Sequence, residues 1–304
     1  MNTSRADERR AAAGVLVAAL LFGSTFVAIR DSVESASPTA FLAVRFGVGG
    51  IALLAFARWR GVSRPAGLGR PAMATGGALL IGYVLQTVGL QYTETSTSAF
   101  ITYLLVVLVP VFAAIAHRQL PARHVALGVA VTTAGLWLLT GGVDNVGRGE
   151  VLTLGCAAAY AIHILLVGRW TNDFDVAWFT GAQLLVVSAG CLIPGAFQGG
   201  YGFALHSWVG ALATGIGASA IALGLQVNGQ RILGPTRTAL ILMLEPVSAA
   251  VIGYLIGERL GVGGGIGAGL ILVGVVLAEL GDARKAREIG ADWLSTDPIQ
   301  GGTS

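Results

Sequence analysis

Charge inside an otherwise apolar stretch is the first chemistry this chain offers. Arg45 lies about six residues into one hydrophobic run, and Glu245 sits ten residues after Pro235 and directly before Pro246 in another. A charged group in such a setting is costly unless paired or wet, so each is a functional candidate by default. Arg45 could hold a substrate carboxylate or pair with an acid during a conformational change. Its plainer role, and the expected one, is to snorkel to the interface or to bond helix-end carbonyls. Glu245 offers a protonatable carboxylate that could couple solute movement to a proton, beside a proline that removes a backbone donor. Its plainer role is an acid near the outer end of a span, hydrogen-bonded or hydrated there. Uncharged polar groups mark similar runs: Ser24 and Thr25, Tyr83 and Gln86, Thr102 and Tyr103, Tyr160 and His163, Gln183 and Gln226. Converging on one cavity, aromatic faces would take the apolar part of an amphipathic solute and amides its polar part. Acting singly, each would bond a neighbouring helix for about 0.6 kcal/mol.

Other chemistries find no footing. His163 has no second ligand at helical spacing, so it makes a poor metal site and is more readily a packing residue. Cys156 and Cys191 lie in apolar runs without CxxC or Cys/His spacing, and read as buried apolar side chains. The stretch Gly261–Gly269 contains G-x-G-x-x-A, but it opens an apolar run instead of following a strand. Its glycines at 261, 265 and 269 are expected to form a smooth face for close helix contact. No Walker lysine motif, H-E-x-x-H or G-x-S-x-G occurs, so no cofactor, metal or ATPase subunit is implied.

The elements that must position these groups are membrane helices. Hydrophobic residues make up 54% of the chain and charged residues 12%, with a mean hydropathy of +0.75. Soluble domains carry about 25% charged residues. Crossing a bilayer takes about 20 apolar residues, and ten candidates follow: 11–29, 39–57, 72–91, 96–116 and 124–140, then 151–168, 176–194, 203–227, 235–256 and 262–280. The first is too long for an ordinary signal core and reads as a retained helix. Residues 1–10 form a polar leading segment, 142–150 a connecting loop, and 281–304 a flexible tail. With the N-terminus inside, fifteen of the 19 Lys and Arg fall on inner segments and three on outer ones, Arg45 being within a span. That bias places both termini in the cytoplasm of a bacterial-type plasma membrane. The net charge of +3 then reflects inner loops, not a nucleic-acid partner.

Two stretches mirror each other. Gly89-Leu90-Gln91-Tyr92-Thr93-Glu94-Thr95-Ser96-Thr97-Ser98-Ala99-Phe100 and Gly224-Leu225-Gln226-Val227-Asn228-Gly229-Gln230-Arg231 each read as a polar notch between apolar segments. Gly89 to Gly224 is an offset of 135, Pro110 to Pro246 one of 136, and Phe22-Gly23 to Tyr160-Ala161 one of 138. Ten spans then split into 11–141 and 151–280. An odd number of spans per copy makes the second enter from the opposite face, the inverted-repeat design of alternating-access transporters.

At this point the residues resemble a known family. Phe22-Gly23-Ser24-Thr25-Phe26-Val27-Ala28-Ile29-Arg30 is similar to the opening motif of EamA-type members of the drug/metabolite transporter superfamily, with Phe22 where Trp is usual. Pro38, Arg45-Phe46 and Phe100-Ile101-Thr102 to Val109-Pro110 follow in order. In the second half come Leu233-Gly234-Pro235-Thr236-Arg237, Leu244-Glu245-Pro246-Val247 and Gly257-Glu258-Arg259-Leu260. The exit His117-Arg118-Gln119-Leu120-Pro121 lacks the Gly-Glu-Arg of the second half. The resemblance implies a ten-helix exporter or permease of small metabolites, with a cavity lined by spans 1, 3, 4, 6, 8 and 9. On that basis Tyr83, Gln86, Tyr103, Tyr160 and His163 are the substrate-binding candidates, and Arg45 and Glu245 the coupling or gating candidates. The expected fold is an all-α membrane protein of ten helices in two inverted five-helix repeats. The expected function is secondary transport of a small organic metabolite, such as an amino acid, with proton coupling open. The alternatives are a membrane-embedded enzyme acting on a lipid or peptide, which the scattered acids and histidines do not equip, and a structural or sensory membrane protein.

Overall fold

The computed structural model describes residues 4–33, 37–89, 91–93, 95–118, 121–141, 146–255 and 261–295. All regular structure among them is helical. Helix α1 (Arg5–Val33) starts six residues before the apolar run, because Ser4 and Asp7 cap it reciprocally. The Ser4 hydroxyl donates to Asp7 Oδ2 at 2.7 Å and accepts from the Asp7 amide at 3.2 Å. Those bonds hold the Asp7 carboxyl below its usual range. Helix α2 (Pro38–Trp59) opens on a proline that needs no donor there, with Ser37 accepting from Ala40 N at 3.2 Å. Then follow α3 (Gly69–Gly89), α4 (Thr95–Tyr103), α5 (Leu105–His117), α6 (Arg123–Thr140) and α7 (Arg148–Trp170). Helix α8 (Val176–Phe197) is capped by Asp175, which accepts from Ala177 N at 3.0 Å and Trp178 N at 3.2 Å. Asp175→Ala is expected to cost about 1 kcal/mol in thermal or denaturant unfolding.

The second half is less segmented than the sequence suggests. Helix α9 (Leu205–Thr214) runs into a π-helical segment (Gly215–Ala222), then α10 (Leu223–Leu242), α11 (Leu244–Leu255) and α12 (Val262–Ser295). The stretch 224–231, expected to be a polar notch, is continuous helix. Gln226 and Gln230 are buried and Asn228 is exposed, as on any helix with one packed side, so polar residues here do not break the helix. The interruption comes at Gly234, whose φ of 78° and ψ of 171° suit glycine alone, next to Pro235. Among the described residues, seven helical runs are long and apolar enough to cross a membrane, one of them the 48-residue run Leu205–Ile252. Val262–Ala278 is a shorter apolar helix. The expected fourth span is two helices in line, broken at Leu104, and the eighth and ninth are joined. Helix α12 also continues past Leu280 to Ser295, into the expected tail, through Ala, Arg, Lys and Glu, which are good helix formers. Gly257-Glu258-Arg259 and residues 296–304 lie outside the described residues.

Packing pairs the halves. Helix α2 lies on α8, α3 on α7, and α6 on α12, while α1 lies against α10 and α11. The α6–α12 contact is made by backbones. A Cβ added to Gly135 would lie 2.6 Å from the Gly267 carbonyl, and one on Gly267 2.5 Å from the Gly135 carbonyl. Gly128 and Gly274 face each other in the same way, at 2.7 and 2.8 Å. From 128 to 267 and from 135 to 274 is 139 in both cases. The same reciprocity links α2 and α8, where Gly50 and Gly181 each approach the other's carbonyl at 3.0 Å. It recurs where Gly76 meets the Gln183 carbonyl at 2.8 Å and Gly215 meets the Arg45 carbonyl at 2.7 Å, with 76 to 215 again 139. Two sequence readings are corrected here. The 135-residue register between Gly89 and Gly224 is not the one these contacts follow, since Gly89 seats on Thr153 while Gly224 has no such neighbour. Glycines 261, 265 and 269 likewise meet nothing within 4 Å. The packed face of α12 is 267, 271, 274 and 278, on another side of the helix, where Ile271 and Ala278 are buried.

Candidate solute cavity

Helices α1, α2, α3, α4, α7, α10, the π segment and the starts of α5 and α11 surround a cavity of about 480 Å³, within the size range of small-molecule sites. Its position follows from the helix contacts. Gly23 has no side chain, so α1 seats directly on the Glu245 carbonyl, 2.7 Å from where a Cβ would stand, and this puts Phe22 and Glu245 on one wall. Gly82 likewise leaves room for the Tyr160 ring. The cavity reaches the end of the bundle where α2 begins, α3 ends and α4 begins, through Pro38, Gln91 and Ser98.

All seven residues singled out in the sequence stand on this cavity. Tyr83 is packed between two rings, 4.8 Å from Phe46 and 5.5 Å edge-on from Tyr160, which builds a continuous aromatic wall. Next to it, the Tyr160 hydroxyl donates to Gln86 Oε1 at 3.2 Å and Gln86 Nε2 donates to Thr102 Oγ1 at 3.4 Å. Tyr103 stands beside Glu245 on the cavity wall. Glu245 therefore lies in the interior of the bundle, in the first turn of α11, not near a span's outer end. Arg45 neither snorkels nor bonds helix-end carbonyls. It is 6% exposed, its Nε donates to Ser219 Oγ at 3.0 Å, and its guanidinium lies 5.3 Å from the Phe46 ring. His163 is on the wall, but its Nε2 is engaged by Gln183 Oε1 at 2.9 Å, and Gln183 in turn donates to the Phe179 carbonyl.

At the opposite end of the bundle, hydrogen bonds tie α7 to α10. The Arg231 guanidinium from α10 donates to the carbonyls of Thr171 and Phe174 just beyond α7, with its Nε 2.9 Å from the Thr171 oxygen. The Thr171 hydroxyl donates to the Val227 carbonyl at 3.3 Å, and Gln230 Nε2 to the Ile164 carbonyl at 2.9 Å. Arg237 pairs with Glu8 at 3.4 Å, bringing the start of α1 to the same end.

A bundle of apolar helices around a mainly apolar central cavity with a few polar groups set in its wall, open at one end, is a transporter's shape. Fold alone does not establish function. The sequence profile of the EamA-like transporter family matches residues 9–141 and again residues 147–280. The chain belongs to the EamA-like transporter family. It is similar to an "Uncharacterized transporter" of Archaeoglobus fulgidus, 29% identical over 88% of this chain and 85% of that one. It is also similar to the "Uncharacterized inner membrane transporter YedA" of Escherichia coli K12, 30% identical over 86% and 88% of the two chains. A solved crystal structure covers 91% of this chain and 98% of its own with a TM-score of 0.76 at 21% identity, a likeness of fold. This EamA-like protein is thus a membrane transporter.

Sequence reading missed several wall residues of this EamA-like cavity. Phe41, Leu79 and Met243 look like any core residue in the sequence, and nothing local separates them. Thr87 was hidden among ordinary helix-end polar residues, and Ser98 lay within the 89–100 notch without being picked as a site residue. Ser219 was legible only as a lone serine in an apolar run, and its partnership with Arg45 spans 174 positions. Phe22 and Tyr160, matched in the sequence at an offset of 138, both reach the cavity.

Proposed function

We propose that this transporter exports a small amphipathic or zwitterionic metabolite, amino acids and their derivatives being the fitting class, by alternating access around the central cavity. The observation that carries the reading is that one wall holds a cation, Arg45, another an anion, Glu245, and an aromatic array lies beside them. A solute with a carboxylate, an amine and an apolar body matches all three. The ten-span, two-repeat architecture is supported by the paired family matches and by the reciprocal 139-residue contacts between halves. The distribution of Lys and Arg supports a plasma-membrane protein with cytoplasmic termini, and a relative's name carries the words "inner membrane". In that orientation the cavity faces outward and the Arg231 end is the closed cytoplasmic gate. A membrane-embedded enzyme is the weaker reading, since the described polar groups around the cavity include no hydrogen-bonded nucleophile–base pair.

Flux of radiolabelled amino acids through proteoliposomes tests the proposal; empty and loaded vesicles with equal uptake of every solute would end it. Glu245 is also the group through which a proton would couple. Glu245→Gln is expected to abolish the uptake driven by an imposed pH gradient, and to slow counterflow only of solutes that carry an amine. A variant whose pH-driven uptake matched the parent would remove proton coupling through this residue.

A further inference from the structure

Ser219 lies on the π segment, where each turn takes one residue more than an α-turn and local geometry is set by a wider ring. This widening brings Ala218, Ser219 and Leu223 all to the cavity. The segment is pressed on α2 by glycine. A Cβ on Gly49 would stand 2.7 Å from the Gly215 carbonyl and 2.9 Å from Ser219 Cβ, and one on Gly215 2.7 Å from the Arg45 carbonyl. Backbone meets backbone there, so the distance between the two elements cannot relax, and Ser219 Oγ is held 3.0 Å from Arg45 Nε.

The consequence concerns the rest of the guanidinium. Of its five N–H donors, that of Nε goes to Ser219; no hydrogen bond or ion pair to a described protein group engages the two Nη nitrogens. Arg45 is buried to 6% exposure and lines the cavity. A planar cation fixed at Nε, with its outer nitrogens unmatched among the described residues, presents a fork suited to two oxygens of one anion. Phe46 beneath the guanidinium, 5.3 Å away, limits its tilt. We infer that Ser219, held by the π segment, is a positioning residue that aims Arg45 as the receptor for the solute's carboxylate. The inference rests on the reading of this cavity as the solute site and adds which group of the solute is read, by which atoms. Ser219 acts through Arg45 and has no need to touch the solute.

The test uses purified full-length protein in nanodiscs and three probes that share one apolar body: 3-phenylpropionate, its neutral amide and 3-phenylpropylamine. Dissociation constants are measured by titration calorimetry for the parent, Ser219→Ala, Ser219→Thr and Arg45→Lys. The parent is expected to bind the acid more tightly than the amide. Ser219→Ala should weaken the acid about tenfold, as expected for one hydrogen bond to a charged group, and leave the amide and amine within about twofold. Ser219→Thr, which keeps the hydroxyl, should restore the acid. Arg45→Lys, a point charge without the fork, should weaken it as much as Ser219→Ala or more. Equal binding of acid and amide by the parent would overturn the inference while leaving the cavity reading in place, as would a Ser219→Ala loss equal across the three probes. A parent that binds none of the three overturns both. Thermal unfolding of each variant, expected within a few degrees of the parent, separates a misfolded protein from a misaimed arginine.

Discussion

Gly135→Leu will leave little folded protein in the membrane, while Gly265→Leu will behave as the parent. The contrast is instructive because both glycines sit in apolar helices and both would gain helix propensity by the change. At Gly135 a Cβ would already stand 2.6 Å from the Gly267 carbonyl and 2.7 Å from the Ile271 amide. Those are backbone atoms of a helix and cannot step aside as a flexible side-chain tip would. Overpacking a tight interior costs about 1–3 kcal/mol, and a leucine against an immovable backbone is expected at or above the top of that range. At Gly265 nothing lies within 4 Å, so the side chain enters open space. Yield in the membrane fraction and the midpoint of thermal unfolding in detergent are the measurements. Equal behaviour of the two variants would mean that α6 and α12 do not meet through Gly135.

Arg231→Ala will open the end of the bundle where the termini-proximal half of α1 lies. Its guanidinium bonds two carbonyls beyond the end of α7, and these tie α7 to α10 below the cavity floor. Hydrogen bonds to a charged group contribute about 1.5–3 kcal/mol, so their loss should shift a closed-to-open equilibrium by a factor of about ten or more. The readout is labelling of Gln226→Cys, on the cavity wall, by a membrane-impermeant maleimide applied from the side of the termini. The background carries Cys156→Ser and Cys191→Ser. Labelling about tenfold faster with Arg231→Ala is expected, with Arg231→Lys between the two because a lysine cannot span both carbonyls. An unchanged rate would show that these bonds do not hold that end closed.

Much of this was legible in the residues. The helical, membrane-embedded class follows from composition, since apolar runs of this length leave the backbone no water to bond. Arg45 and Glu245 stood out because burying a charge without purpose is costly, and both do reach the cavity. The aromatic and amide candidates reach it too, although the resemblance to EamA-type proteins, not spacing, selected them from a longer set. The division of roles was not legible. Arg45 read as snorkelling and Glu245 as lying near a span's end, because a run of letters carries no depth and no partner. The glycine stripe at 261, 265 and 269 was a sound regularity on the wrong face.

The sequence by itself determined that the chain is a bundle of apolar helices, that its halves echo each other, and which few polar groups such a bundle must account for. Hydrophobic length, cationic bias and the cost of buried charge are properties of residues in order, and they act before any tertiary contact forms. Only the tertiary structure decided the register between the halves, the face of α12 that packs, and the pairing of Arg45 with Ser219. These depend on where two backbones, far apart in the chain, come close enough to exclude a single methyl group. No local preference encodes that distance.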